Sequence, residues 1–322
     1  MEGGEAMSRV TILLAAYKGN DYAGAMIESI LAQDCDDWEL ILSDDGTDTE
    51  ALLASYTEKY PDRIIHHRSG LRFGSAQKHF LHLMKEYRNA EYLMFCDQDD
   101  VWHPDKVRKT LAAMQEAERK ARAESREENA PPILVHTDLR VVDGALRPID
   151  ESFMHYSRLD GRRLALNELL IQNVVTGCTL MINRPLTALA LEGAGEEKML
   201  MHDWWIALCA AAFGKSVFLP EATIDYRQHG GNTVGAKSPL NPAYLKSRLS
   251  GGAIKKALND TSAQAAAFLS VYGDRLDEAQ KELVGTYAKL PDMGKLARLR
   301  SYSRCGFWKK DPGRRIAQMI WG

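Results

Sequence analysis

The chain lacks a CxxC pair and any Cys/His cluster at metal-binding spacing. Its five cysteines, Cys35, Cys96, Cys178, Cys209 and Cys305, are scattered and odd in number. Reduced thiols and a cytoplasmic location are therefore expected. No apolar run approaches the ~20 residues that span a bilayer. Met1 to Arg9 is acidic and Gly-rich where a secretory signal would be apolar. Positive charge is not in excess: the formal net charge is -3, which argues against general nucleic-acid binding. There is no GxGxxG after the first apolar run, no GxxxxGK[ST], no GxSxG and no HExxH, so the enzyme classes built on those motifs are disfavoured. No internal repeat is evident. What remains is 322 residues, 45% hydrophobic and 26% charged. That is enough for one large domain, or one domain plus an extension.

Apolar runs alternate with helical patterns. Val10 to Ala16, Trp38 to Leu42, Ile64 to His67 and Tyr92 to Cys96 read as strands. Ala23 to Ala32, Glu50 to Tyr60 and Ser75 to Tyr87 read as the helices between them. The order predicts parallel strands with crossover helices, and ligands beyond the strands' carboxyl ends. Pro104 to Arg126 reads as one long helix with a charged, solvated end. Further strands are expected at Ile133 to His136, Leu139 to Val142, Gly177 to Asn183 and Ser216 to Leu219, and helices at Leu164 to Ile171 and Trp204 to Phe213. From Pro242 the pattern turns helical and basic. This divides the chain into a tail over 1–8, a main domain over 9–240 and a C-terminal extension over 241–322.

Tyr92-Leu93-Met94-Phe95-Cys96-Asp97-Gln98-Asp99-Asp100-Val101-Trp102 is the most informative stretch. An apolar strand ends in three carboxylates within four positions. Such charges repel unless a cation sits among them. Hard oxygen ligands suit Mg2+ or Mn2+, with phosphate oxygens completing the shell. The plain alternative is a solvated acidic turn.

Three other segments carry chemistry. Ser43-Asp44-Asp45-Gly46-Thr47 follows a strand, and Gly46 permits a sharp turn. A haloacid-dehalogenase-type phosphatase would need a nucleophilic carboxylate where Ser43 stands. An Asp here either accepts hydrogen bonds from a base or ribose, or forms an Asx-turn. His202-Asp203-Trp204-Trp205 opens a helix, so Asp203 is either its N-cap or a general base in a cleft. Tyr226-Arg227-Gln228-His229-Gly230-Gly231-Asn232 offers an Arg fork for phosphate and an imidazole for a metal or oxyanion.

Taken in order, these segments closely resemble family 2 inverting glycosyltransferases of the GT-A fold, in particular bacterial rhamnosyltransferase-like members, over roughly residues 9 to 236. The resemblance implies a Rossmann-like α/β mixed sheet flanked by helices, followed here by the helical C-terminal extension. It implies a nucleotide-sugar donor, dTDP-rhamnose or a UDP-sugar, and a glycan or lipid-linked glycan acceptor. It also implies a divalent metal, Mg2+ or Mn2+, bound through the DxD motif. Position by position, Asp99 matches the direct metal ligand and Asp97 its companion toward ribose or metal. Asp45 matches the base-binding aspartate, with Ala15 and Tyr17 lining the same pocket. Gln98 and Arg227 join the donor contacts, His229 the metal or diphosphate, and Asp203 matches the catalytic base. Two departures stand out. Tyr17-Lys18-Gly19 replaces a frequent Tyr-Asn-Gly, and His79 replaces a frequent Asn before Phe80. Neither removes a carboxylate that the reaction needs.

Two rival classes share parts of this pattern. A nucleotidylyltransferase would carry a Gly-rich basic loop where Ala15-Ala16-Tyr17 stands. A non-catalytic nucleotide-sugar binding module would need no Asp203. A calcium-binding loop of EF-hand type fails on ligand spacing. The last segment mixes Lys295, Arg298, Arg300, Arg304, Lys309, Lys310, Arg314 and Arg315 with Phe307, Trp308, Ile316, Met319, Ile320 and Trp321. Two readings of it stand: peripheral contact with the inner face of the cell membrane, or packing of the two tryptophans on protein.

Overall fold

The computed structural model describes residues 10–46, 48–125, 130–228 and 251–322. Its strands are β1 (Val10–Ala16), β2 (Trp38–Asp44), β3 (Ile64–His66), β4 (Tyr92–Asp97), β5 (Val101–Trp102), β6 (Ile133–Asp143), β7 (Pro148–Asp150), β8 (Met181–Asn183) and β9 (Lys215–Gln228). They form one mixed sheet in the order β3-β2-β1-β4-β8-β6-β9-β5, with β7 pairing on β6. β1 to β4 are mutually parallel, while β8 runs antiparallel to both β4 and β6. The expected α/β fold with a mixed sheet is what the chain adopts.

The parallel half explains where a ligand can sit. From β1 the chain moves outward to β2 and β3, then returns to β4 on the other side of β1. Connections leave β1 and β4 in opposite directions, which opens a crevice at their carboxyl ends. Pairing in register sets Ala15 beside both Ser43 and Asp97. Three motif segments thus end on one level of the sheet.

Side chains alternate across the strands. Ile12 and Leu14 face one core with Met26, Ile27 and Ile30 of helix α1 (Ala23–Leu31), and with Val107 and Met114 of helix α4 (Lys106–Ser125). Leu13 faces the other core with Phe80 and Leu83 of α3 (Ala76–Glu86) and with Trp205 and Leu208 of α8 (His202–Phe213). α2 (Glu50–Lys59) covers the β2–β3 edge. The short helices α5 (Phe153–Tyr156), α6 (Leu166–Ile171) and α7 (Arg184–Leu191) precede α8. The C-terminal helices are α9 (Gly251–Tyr272), α10 (Glu278–Ala288), α11 (Lys295–Cys305) and α12 (Pro312–Trp321). Phe268, Tyr272, Tyr287, Tyr302 and Phe307 carry them into the same core as α8.

Several boundaries differ from the sequence reading. Ile133 to Val142 is one strand with register shifts near Thr137 and Arg140, where two strands were expected. Gly177 to Asn183 divides into a 3-10 turn (Gly177–Thr179) and the short β8. The strand expected at Ser216 to Leu219 runs on to Gln228, so Arg227 lies in a strand rather than a loop. An ion-paired edge explains that extension. Asp225 takes two hydrogen bonds from Arg140, at 2.6 and 2.7 Å, and lies 2.8 Å from His103. The boundary expected near 240 lies outside the described residues.

Candidate functional site

The site is built at the mouth of the β1–β4 crevice. Gln98, just past β4, reaches across it to Tyr17, just past β1. Tyr17 N–H donates to Gln98 Oε1 at 2.8 Å, and Gln98 Nε2 donates to Tyr17 O at 2.7 Å. This two-bond clamp fixes the backbone turn after β1 while the Tyr17 ring stays exposed. It also accounts for Gly19, since a Cβ there would fall 2.3 Å from Gln98 Oε1.

At the end of β2, Asp45 is buried and well supplied with donors. Its carboxylate accepts the Phe73 N–H, and the Gly74 N–H at 2.9 Å. Gly46 follows with φ +68, the turn conformation expected of a glycine there. Ser43 sits below, 2.8 Å from His79 Nε2, and the His79 ring stacks on Phe73 with centroids 4.4 Å apart. Burial lowers the His79 pKa to about 4, so the ring is neutral. The His79 departure thus has a local partner in Ser43. Beside this turn lies a pocket of about 290 Å³ lined by Asp44, Gly46, Glu50, His67, Arg68 and Arg72, among others.

The β4 end is a different environment. Oxygens of Asp97 and Asp100 and the Cys178 sulfur lie within 4.8 Å of one another, the one such metal-capable group among the described residues. Burial first, then repulsion from Asp99 and Asp203, raises the Asp97 pKa. Asp100 is fully buried and its pKa is driven well up by burial and by its acidic neighbours. Its Oδ1 accepts the Arg227 N–H at 3.2 Å, while Oδ2 has no hydrogen bond of good geometry. Burial also holds the Cys178 thiol protonated. Beneath the cluster Lys106 is fully buried, with Nζ 4.7 Å from the Trp102 ring centroid and no hydrogen-bond partner. Burial lowers its pKa to about 8.

Arg227 ties this corner together. Its Nε donates to Asp99 O at 2.9 Å, its Nη1 to Gly144 O at 2.7 Å, and its guanidinium lies 4.9 Å from the Tyr22 ring centroid. It orders the acidic turn through backbone carbonyls.

Asp203 stands on the far wall, in the first turn of α8. The N-cap is Met201, so Asp203 sits inside the helix rather than at its cap. Its Oδ1 accepts the Trp204 N–H at 2.6 Å and the Asn173 Nδ2 at 3.3 Å. Burial raises its pKa to about 7, and the Trp204 and Gly177 amides offset only part of that. A carboxylate poised near neutrality and within electrostatic reach of Asp97 is suited to accepting a proton. His202 beside it is packed on Phe80 and Phe95 at 4.8 and 5.4 Å, and burial keeps it neutral.

Ala15, Tyr17, Gln98, Asp97, Asp99 and Arg227 are thus brought to one crevice, with Asp45 on its β2 side and Asp203 within electrostatic reach of Asp97. His229 and Thr47 lie outside the described residues. Sequence reasoning missed Asp100 as a member of the metal-capable group, although it stands in the acidic run. It also missed Cys178, Lys106 and Asn173, which are isolated in the sequence and arrive only through the sheet.

Residues 11–130 match the model of the family described as Glycosyl transferase family 2. The chain is 25% identical over 238 residues to the dTDP-rhamnosyl transferase RfbG of Shigella flexneri, covering 72% of this chain and 77% of that one. TarS 1-349 of S. aureus in complex with UDP aligns with a TM-score of 0.54 at 15% identity, covering 92% of this chain and 75% of that chain. The mannosyltransferase PcManGT from Pyrobaculum calidifontis, in complex with GDP-Man and Mn2+, aligns with a TM-score of 0.51 at 14% identity, covering 97% and 84%. At such identities the two structural likenesses show the fold alone. The match to glycosyl transferase family 2 is confined to residues 11–130, and the chain has the GT-A fold.

Proposed function

We propose that the protein is an inverting glycosyltransferase using a nucleotide-diphosphate sugar and a divalent metal. The observation that carries this reading is Asp203: a buried carboxylate with pKa raised to about 7, close enough to Asp97 to raise that residue's pKa. The acceptor hydroxyl gives its proton to Asp203. Its oxygen attacks the anomeric carbon from the face opposite the diphosphate. The bond from that carbon to the diphosphate oxygen breaks, and a single displacement inverts the centre.

The donor set fits a hard cation. Asp97, half-buried, and Asp100, fully buried, repel one another, and one oxygen of Asp100 lacks a hydrogen bond of good geometry. Mg2+ or Mn2+ prefers these oxygens to the protonated thiol of Cys178. Asp99, on the same turn, is the further carboxylate available. When bound, the ion supplies neutralisation of charge on the leaving diphosphate. Tyr17, fixed by Gln98, and the Asp45 turn flank the pocket proposed for the base, and Arg227 holds the turn that presents the carboxylates.

The relative from Shigella flexneri supports dTDP-rhamnose as donor, and the structural neighbours were solved with UDP or GDP-Man. The acceptor we assign is a hydroxyl of a glycan or lipid-linked glycan in bacterial cell-surface polysaccharide synthesis. A thermal-shift panel of dTDP, UDP and GDP sugars with Mn2+ tests the donor, because a ligand selective for the folded state raises stability. Asp203→Asn tests the chemistry. It keeps the shape and removes the proton acceptor, so donor binding should survive while transfer fails. Wild-type turnover in that variant would remove Asp203 from the chemistry and leave it a structural residue of the helix start.

A further inference from the structure

Helix α12 is docked with its polar face inward. Ala317 and Gln318 are buried. Gln318 Nε2 donates to Phe307 O at 2.7 Å, its Oε1 accepts the Lys309 N–H at 3.3 Å, and Arg314 Nη2 donates to Ser157 O at 2.9 Å. The large apolar side chains point the other way: Ile316 is 57% exposed, Met319 41% and Ile320 49%. Their spacing of three and four residues puts them on one stripe. A surface helix normally turns that stripe into the core.

The stripe continues onto neighbouring elements. Lys295 Nζ donates to Ile320 O at 3.2 Å, which brings the first turn of α11 alongside, with Leu296 74% exposed. Trp321, 46% exposed, lies against Gly251 at the start of α9, where a Cβ would come within 2.7 Å of the indole. A cluster of large apolar side chains at the surface marks an interaction site.

Charge selects the partner. Residues 295 to 322 hold eight Lys and Arg against the single acid Asp311, in a chain whose net charge is -3. The Asp311 carboxylate caps Arg314 N at 2.9 Å and lies 3.6 Å from Arg158, so it does little to offset the patch. Lys310 is paired with Asp160 and Arg304 with Glu282. Lys295, Arg300 and Arg315 carry no ion pair among the described residues. An isologous contact would set one basic face against another. Nucleic acid would answer the charge but offer no apolar layer. We propose that this face docks on an anionic bilayer surface, with Leu296, Ile316, Met319, Ile320 and Trp321 at the headgroup–acyl boundary and the basic side chains on acidic headgroups.

The docking rests on this face alone. Its consequence, access to a lipid-linked acceptor, rests on the transferase reading above, and vesicle binding is measured without donor or acceptor. The full chain is sedimented with vesicles of phosphatidylcholine alone, and of phosphatidylcholine mixed with phosphatidylglycerol. Pelleting is expected with the anionic vesicles at low salt and should weaken in high salt. The double substitution I316S/I320S should lower partitioning about tenfold or more, since each removes a large apolar side chain from the contact. R315Q should lower it about fivefold. Both variants alter exposed positions, and thermal melts should match the wild type. Absence of pelleting with anionic vesicles, or equal pelleting of I316S/I320S, overturns the proposal. So does a dimer in sedimentation velocity that I316S/I320S dissolves, which assigns the face to a second copy.

Discussion

Two strand ends on the same edge of the sheet carry acidic clusters, and they are built in opposite ways. At the end of β2, the Asp45 carboxylate is matched by two backbone N–H donors from the 73–74 turn. At the end of β4, the half-buried Asp97 and the fully buried Asp100 lack a matching set of donors, and their pKa values rise. The first carboxylate latches a loop in the protein as it stands. The second group holds carboxyl oxygens short of donors, which is what a cation site needs before its cation arrives. Acidity in the sequence is the same in both places; the number of donors that the fold brings to each one separates latch from site.

The sharpest break between the two is expected at Asp203, which lies within electrostatic reach of Asp97. Asp203→Asn should cut transfer by roughly 10²-fold or more, a general-base magnitude, with donor affinity near wild type. Asp45→Asn should do the reverse, weakening donor binding more than turnover of bound donor. Single-turnover rates beside equilibrium donor titrations check both. Equal loss of kcat in the two variants would erase the distinction.

The pH dependence follows from the same carboxylate. The Asp203 pKa is raised from 3.8 to about 7 by burial. Transfer needs the ionised form, so kcat should rise with pH and level off above about 7. Each unit below that should cost about tenfold. Stability runs the other way. Between the unfolded and the folded pKa the native state holds the extra proton, so this group's stabilising contribution is full below about 4 and is lost as pH rises through about 7. Opposite slopes of activity and of metal-free Tm over that window are the expected signature, and Asp203→Asn should flatten its share of the second.

A smaller effect is expected at the latch itself. Asp45→Asn turns one acceptor oxygen into a donor and leaves the Phe73 or Gly74 N–H opposed to an N–H. Loss of one such charge-assisted bond should cost about 1–3 kcal/mol. Urea titration of the ligand-free protein measures it, and an unchanged midpoint would mean that the 73–74 turn holds by other means.

How far these ends were legible in the sequence depends on how local their causes are. β1, β2 and β4 were visible because buried parallel strands read as continuous apolar runs, and their ends coincide with Asp-rich turns. Asp203 was visible as a carboxylate at a helix start, but its choice between capping and catalysis was not. That needed Met201 in the N-cap position and the burial supplied by the surrounding core. Cys178 was invisible as a neighbour of Asp97, because only the 3-10 turn before β8 carries it to β4. The length of β9 was missed for a similar reason: Asp225 and Arg227 look like loop residues until Arg140, His103 and Gly144 meet them. The inverted α12 escaped because periodicity reports a stripe but not which way it faces.

The smallest effect tests the cause of the contrast most directly. Asp100 is fully buried, and one of its oxygens has no hydrogen bond of good geometry. Asp100→Asn removes a buried ionisable carboxyl while keeping size, and its amide oxygen can still accept the Arg227 N–H that Oδ1 now takes. Lys106 lies nearby with an unbonded Nζ, so the gain from deleting the carboxylate is offset by losing an attraction to that cation. Removing repulsion from Asp97 and Asp99 outweighs this, because Lys106 makes no hydrogen bond to the carboxylate. We therefore expect metal-free Asp100→Asn to be more stable than wild type by about 1 kcal/mol, near the low end of a buried-charge effect. Mn2+ should then add little, whereas it should raise the Tm of the wild type. The two measurements are coupled by design. If the carboxylates are a cation site, the variant gains stability without metal and loses the stabilisation by metal. If they are instead satisfied as Asp45 is, Asp100→Asn destabilises the protein and Mn2+ moves neither melt. A destabilised variant would show that the β4 end is a second latch, and the contrast between the two strand ends would fall.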